Sequence, residues 1–306
     1  MKRRIVGLMQ PTASEAMPWT AKNLMKLPSR AVYKSARSYI FRCIQCCRCV
    51  RQWAMDYLVV TVASLFAGFV DSIVGGGGLI LVPALFATFP QAHPATLFGT
   101  NKGASVWGTA FATWNYSQRV QMPWRSLWPA ALGGLLASMA GAWLVTVVSP
   151  NFLRKLLPLV LLLVLVYTLL KKELGRHHQP RFQGLREQMV GAAVGLMIGF
   201  YDGFFGPGAG SFLVFLFVRL QGYDFLHASA AAKLVNTATN LSALVLFALK
   251  GHVWWHFVVV MALANVAGSW LGTRMALRHG TGFVRGMFLL VVTALILKTG
   301  FDAFVR

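Results

Sequence analysis

Asp71 and Lys102 stand 31 residues apart, and so do Asp202 and Lys233. All four lie in otherwise apolar runs, where one charge at mid-helix costs at least about 2.5–3.5 kcal/mol on the most lenient insertion scale. An acid and a base repeated at one spacing, at that cost, are expected to do chemistry. The lysines can hold an anion, and the aspartates can take up and release a proton as negative charge arrives beside them. Two plainer accounts compete: a lysine near a helix end reaches water along its stem, and an aspartate beside a helix break caps it.

The neighbours extend the pattern. Ser105 and Thr109 follow Lys102 at i+3 and i+7, and Asn236 and Asn240 follow Lys233 at the same offsets. At helical periodicity each lysine heads a polar stripe, which serves a substrate or glues helices together. Upstream, Gly75 to Gly78, and Gly206, Gly208 and Gly210 with Pro207, interrupt the apolar runs. A continuous helix is costly there. A new half-helix is expected after Gly78 and after Gly210, its first amides carrying partial positive charge. Gly77, Gly78, Gly208 and Gly210 therefore join Lys102, Lys233, Ser105, Thr109, Asn236 and Asn240 as candidate substrate-binding residues. Asp71 and Asp202 are the candidate proton-coupling residues. Two broken helices in corresponding positions are the best sequence pointer to a transporter's substrate site.

The elements that must position these residues come as a repeat. Residues 57–175 match 188–306 without gaps at an offset of 131, bringing Asp71 onto Asp202, Lys102 onto Lys233, Trp124 onto Trp255, Ser138 onto Ser269 and Gly141 onto Gly272. Each half holds five apolar segments, at 57–74, 79–90, 95–117, 127–148 and 152–170, and at 189–205, 210–220, 225–249, 253–273 and 283–304. A span needs about twenty residues, so the second segment of each half is too short. It is read as a re-entrant half-helix, allowed at membrane depth where protein covers it or it lines a cavity. The fold class is an all-α polytopic membrane protein, a tandem repeat of two four-span halves, each with a glycine-broken re-entrant half-helix. The parts are a leader 1–54, a first repeat 55–175, a cytoplasmic connecting loop 176–188 and a second repeat 189–306. Eight spans put the leader, Arg119 and Arg125, and the loop 171–188 on the cytoplasmic side, as the positive-inside rule asks, but put Arg154, Lys155, Arg274, Arg278 and Arg285 on the other. Ten crossings with inverted halves are the alternative.

Composition agrees with a membrane protein. The chain is 57% apolar or aromatic and 12% charged, against roughly 25% charged in soluble domains. The 29 basic residues against 8 acidic ones then belong to cytoplasmic loops, not to nucleic acid. Residues 1–54 carry 11 of those bases, one acid and all four cysteines. They lack the apolar stretch of a secretory signal. They read as a basic arm on the anionic leaflet or as an upstream extension of a chain that starts at Met55. Cys43, Cys46, Cys47 and Cys49 are too crowded for the separated pairs of a zinc site and read as part of an unstructured reduced arm.

The motifs GFVDSIVGGGGLILVPAL with TNK, and GFYDGFFGPGAGSF with AAKLVN, resemble the sulfite exporter TauE/SafE family of bacterial membrane proteins over roughly 57–304. The resemblance implies an inner-membrane, multi-pass transporter whose cargo is sulfite, a sulfonate or a related organosulfur anion. Its partners are the lipid bilayer and the anion, with a homo-oligomer left open, and no cofactor or metal is expected. An intramembrane enzyme and a membrane scaffold or accessory subunit are the other classes. For an enzyme the chain offers no GxSxG or HExxH motif, and no GxxxxGK[ST] loop for ATP. His177 and His178 sit in the charged loop, and His252 and His256 sit at i and i+4 beside Trp254 and Trp255, where interfacial anchoring explains them better than a metal.

Overall fold

The computed structural model describes the backbone of residues 29–153, 156 and 181–305, and the side chains of 52–153, 156 and 181–287 except 281 and 285. The chain forms two units, Met1–Met55 and Asp56–Arg306. The regular elements are helices: α1 Ser29–Val74, α2 Gly78–Thr88, α3 Pro94–Ser117, α4 Trp124–Val147, α5 Leu185–Phe204, α6 Ala209–Leu216 with a π-turn at Phe217–Gln221, α7 Phe225–Leu249 and α8 Trp255–Val305.

Among the described residues four helical stretches are long and apolar enough to cross a membrane: Gln52–Val74, Trp124–Val147, Phe225–Leu249 and Trp255–Gly280. This is a multi-pass membrane protein. The helix α3 has the length but carries the polar run TNKGAS. Within α8 the expected joint near residue 280 is a kink, Gly280 adopting φ +70°. The segment 152–170, the loop 176–180, and His177 and His178 lie outside the described residues, apart from residues 152, 153 and 156, as do the side chains of Arg154, Lys155, Arg285 and the four cysteines.

Two expectations need correction. The cysteine-bearing stretch is helical from Ser29, because no proline stands between Pro28 and Pro83 and Gly68 is the sole glycine before the break at Gly75. More consequential is the direction of the helices. The expectation counts the first segment of each half as a span. Instead α1 and α2 form a hairpin whose two ends meet the same residue: the rings of Tyr57 and Phe89 lie 4.4 and 5.0 Å from that of Phe257. The hairpin of α5 and α6 closes likewise at its own mouth, where the Tyr223 hydroxyl donates to the Glu187 carboxylate at 2.7 Å and the Gln221 amide to the Glu187 carbonyl at 3.3 Å.

A hairpin makes no net crossing, and the sense of the later helices follows. The helices α3 and α7, which the 131-residue offset makes equivalent, run antiparallel: Gly99 abuts Phe247, Gly103 abuts Leu244, and Thr113 bonds Thr237. Four spans per half would have them cross in the same sense. Close packing is bought with small residues, as in other membrane helices. A Cβ on Gly195 would overlap Ala130, and one on Gly203 would overlap Ser138, so α5 lies directly on α4. On the other side Gly68 and Gly268 let α1 lie directly on α8.

Candidate functional site

The glycine breaks meet each other at the centre. Gly75 turns at φ +81°, Gly206 at +85° and Gly208 at +81°, a region open to glycine and costly for other residues. A Cβ on Gly75 would overlap the Gly210 backbone, and one on Gly78 would lie 3.1 Å from the Cα of Pro207. The Ser211 amide donates to the Gly75 carbonyl at 3.1 Å and its hydroxyl to the Val74 carbonyl at 3.0 Å. The first half-helix starts at Gly78, after Gly77, one residue before the expected start. The second starts at Ala209 after Gly208, not beyond Gly210, because the left-handed turn that ends the break falls at Gly208.

The four charges come together in two pairs, each joining an acid and a base from different halves. Lys102 Nζ lies 2.7 Å from Asp202 Oδ1. Lys233 Nζ lies 2.9 Å from Asp71 Oδ2. Both lysines are essentially out of solvent, at 2% and 0% exposure, so neither reaches water along its stem. The buried cost of each charge is offset only by its partner and by further hydrogen bonds. Lys102 has one more, donating to Asn240 Oδ1 at 2.9 Å. Asp71 has one more, its Oδ1 accepting from the Gly77 amide at 3.3 Å. Among the described residues Asp202 Oδ2 is buried without a partner.

The polar stripes separate on inspection. Asn240 enters the site through Lys102 of the other half. The Thr109 hydroxyl turns back onto its own helix, donating to the carbonyls of Ser105 and Val106 at 3.0 and 3.1 Å. Ser105 is half-buried and Asn236 is buried. Asn101 was not singled out from sequence, although it stands next to Lys102; it is 4% exposed and its Oδ1 has no partner among the described residues. A second polar residue beside a buried lysine is the signal that could have found it. Helix contacts between halves also rest on side chains of the stripes and their neighbours: Ser138 donates to the Thr239 carbonyl at 2.8 Å and Ser269 to the Gly108 carbonyl at 2.7 Å, two bonds related by the same 131 offset.

The remaining histidine expectation changes. His252 precedes α8, so it shares no helix face with His256. Its Nδ1 lies 3.1 Å from the Thr96 hydroxyl, and its ring stacks on His93 at 5.2 Å. The His256 ring packs among Tyr57, Trp254 and Phe257.

Comparison with known proteins finds membrane transporters. Residues 60–299 match the family described as Sulfite exporter TauE/SafE. A protein of Escherichia coli K12 named probable membrane transporter protein YfcA is 36% identical over 246 residues, covering 80% of this chain and 90% of that one. A Sinorhizobium protein named probable membrane transporter protein ORF9 is 35% identical over 238 residues, 78% of this chain and 89% of its own. A Haemophilus influenzae protein named probable membrane transporter protein is 33% identical over 253 residues, 81% and 98% of the two chains. No solved structure matches.

Proposed function

The chain belongs to the sulfite exporter TauE/SafE family, and from that membership and the crossed ion pairs we propose a secondary transporter of the cell inner membrane that exports a small anion. Sulfite, a sulfonate or a related organosulfur anion is the cargo. The observation that carries this reading is the exchange of partners: Lys102 to Asp202 and Lys233 to Asp71. Each pair ties a hairpin of one half to a long helix of the other. A charge pair that only held the halves together could be replaced by apolar packing at little or no cost.

Two full charges of each sign sum to zero, so the empty site is neutral and an entering anion leaves it one charge negative. The anion competes with the carboxylates for the lysine ammonium groups. A carboxylate displaced from its lysine and facing an anion favours taking a proton. Asp202 suits that role, with one oxygen already unpartnered, and Asp71 is the second candidate. Gly77, Gly78, Gly208 and Gly210 let backbone approach the anion, with Asn236, Asn240, Ser105 and Thr109 bordering it. Loss of the pairs frees the halves to move against each other. Antiparallel α3 and α7 support inverted halves, the architecture in which such rocking gives alternating access.

Proteoliposomes loaded with labelled sulfite, sulfonates and carboxylates test the reading. Flux of a sulfur oxyanion that collapses in Lys102→Ala and Lys233→Ala, at parental abundance in the membrane, is the expected result. Arginine at either position should rescue poorly, because its planar fork does not replace a point charge. Parental flux in either alanine variant removes that lysine from the site, and chemical conversion of the anion without flux turns the reading to an intramembrane enzyme.

A further inference from the structure

Away from the crossed pairs, a cavity of about 540 Å³ is lined by Asn115, Arg119, Trp270, Thr273, Arg274, Leu277 and Arg278. It lies where the end of α3 meets α8. Its three guanidinium groups form no ion pair with any acid among the described residues. One of them, on Arg274, lies 5.6 Å from the centre of the Trp270 ring. Asn115 follows Lys102 by 13 residues on α3, about 20 Å along the helix and on its opposite flank, so the cavity is separate from the site of the paired charges. Eight spans would put Arg119 on one side of the membrane and Arg274 and Arg278 on the other. One cavity holds all three.

We propose that this cavity binds the phosphodiester headgroup of an anionic phospholipid. Three unpaired arginines converging on one space call for an oxyanion, and their forks suit the two free oxygens of a phosphodiester. Beside the guanidinium groups part of the lining is apolar: Leu277 lines it, and Trp270 is about half exposed. An amphiphile fits such a lining and a free ion does not use it. The location agrees, since Arg125, Arg181 and Arg219 cluster at the same end of the bundle as the cavity, where the α3–α4 joint and the α5–α6 mouth lie. Among the connections of residues 56–306 that concentration of arginine marks the cytoplasmic face, and basic pockets between spans on that face bind anionic headgroups.

The full chain, purified in an uncharged detergent, is titrated with phosphatidylglycerol, phosphatidylcholine and inorganic phosphate, with native mass spectrometry reading occupancy. Phosphatidylglycerol should bind on the order of tenfold or more tighter than phosphatidylcholine, and the preference should vanish in R119Q/R274Q/R278Q. The single variant R274Q, a milder change, should lose part of it; this keeps the test decisive if the triple variant does not fold. Equal binding of the two lipids, or a preference that survives these variants, overturns the site. Displacement of phosphatidylglycerol by millimolar inorganic phosphate overturns the lipid as its occupant and leaves a soluble anion.

Discussion

The two ion pairs are equivalent by position and unequal in their surroundings. Asp71 spends both oxygens, one on Lys233 and one on the Gly77 amide, and its side chain is 14% exposed. Asp202 spends one on Lys102 and buries the other unpartnered at 3% exposure. The lysines differ in the opposite sense: Lys102 also donates to Asn240, while the residue at the matching position for Lys233 is Thr109, whose hydroxyl is committed to its own helix. Asn101 likewise faces an alanine, Ala232, at the offset position. The chain thus gives one lysine an amide side chain and supports the other pair's aspartate with backbone. One copy is held at the acid and the other at the base, so on the proposed mechanism Asp202 is the group least satisfied once an anion takes its lysine.

Removing a lysine should expose that inequality most. Lys102→Ala leaves buried Asp202 without its one partner among the described residues, a loss of about 3–5 kcal/mol for breaking one side of a buried pair. Lys233→Ala leaves Asp71 the Gly77 amide and some solvent, and should destabilise less. Thermal unfolding in detergent checks the order, and a larger loss for Lys233→Ala would reverse the comparison. Removing a whole pair sharpens it further. Lys102→Met with Asp202→Leu should recover most of the lost stability, since no charge is left alone, while flux stays at background. Recovery of flux as well would reduce the pair to a structural tie.

Much of this could be read from the chain before any coordinates. The repeated Asp and Lys spacing, the glycine breaks and the bounds of α7 were legible because apolar run length and helix-breaking residues act locally. Partner exchange was not: spacing along the chain treats Asp71 and Asp202 alike, and only packing decides which carboxylate reaches which lysine. Helix direction was hidden for a different reason. The stretch Gln52–Val74 is apolar enough to pass for a span, yet α2 brings the chain back to the ring of Phe257. The side on which Arg274 and Arg278 sit depends on that return. The stripes misled in part, since periodicity finds the face of Thr109 but not whether its hydroxyl turns back into the helix.

Neutralising the acids should separate the pairs by pH. Asp202→Asn removes the carboxylate we assign to proton uptake, so the pH dependence of flux should flatten. Asp71→Asn keeps an oxygen for the Gly77 amide and should preserve most of the profile, with the double variant flat. The sign follows from the charge count: with the carboxylate ionised the loaded site is negative, so flux of an anion carried with a proton should rise as the loading side is acidified and lose that rise in Asp202→Asn. A parental profile in the double asparagine variant would leave both aspartates structural and make the protein a passive anion facilitator.

The smallest effect should come from exchanging the second-row residues between copies. Asn240→Thr gives Lys102 the surroundings Lys233 already has, removing one hydrogen bond to a charged group, a change of about 1.5–3 kcal/mol at most. Part of that is returned, because the freed ammonium keeps its carboxylate. If Asn240 served only to pack α7 against α3, the melting temperature would fall and substrate affinity would not move. If it holds Lys102 against the incoming anion, the variant should melt lower and also show a lower KM, since the anion then competes with one partner where it had two. Thr109→Asn is the converse, offering Lys233 an amide acceptor it lacks, and should raise KM with little change in melting. Opposite shifts of KM in the two variants would tie the inequality of the pairs to anion binding. Shifts of the same sign, or none beside a changed melting temperature, would confine it to packing.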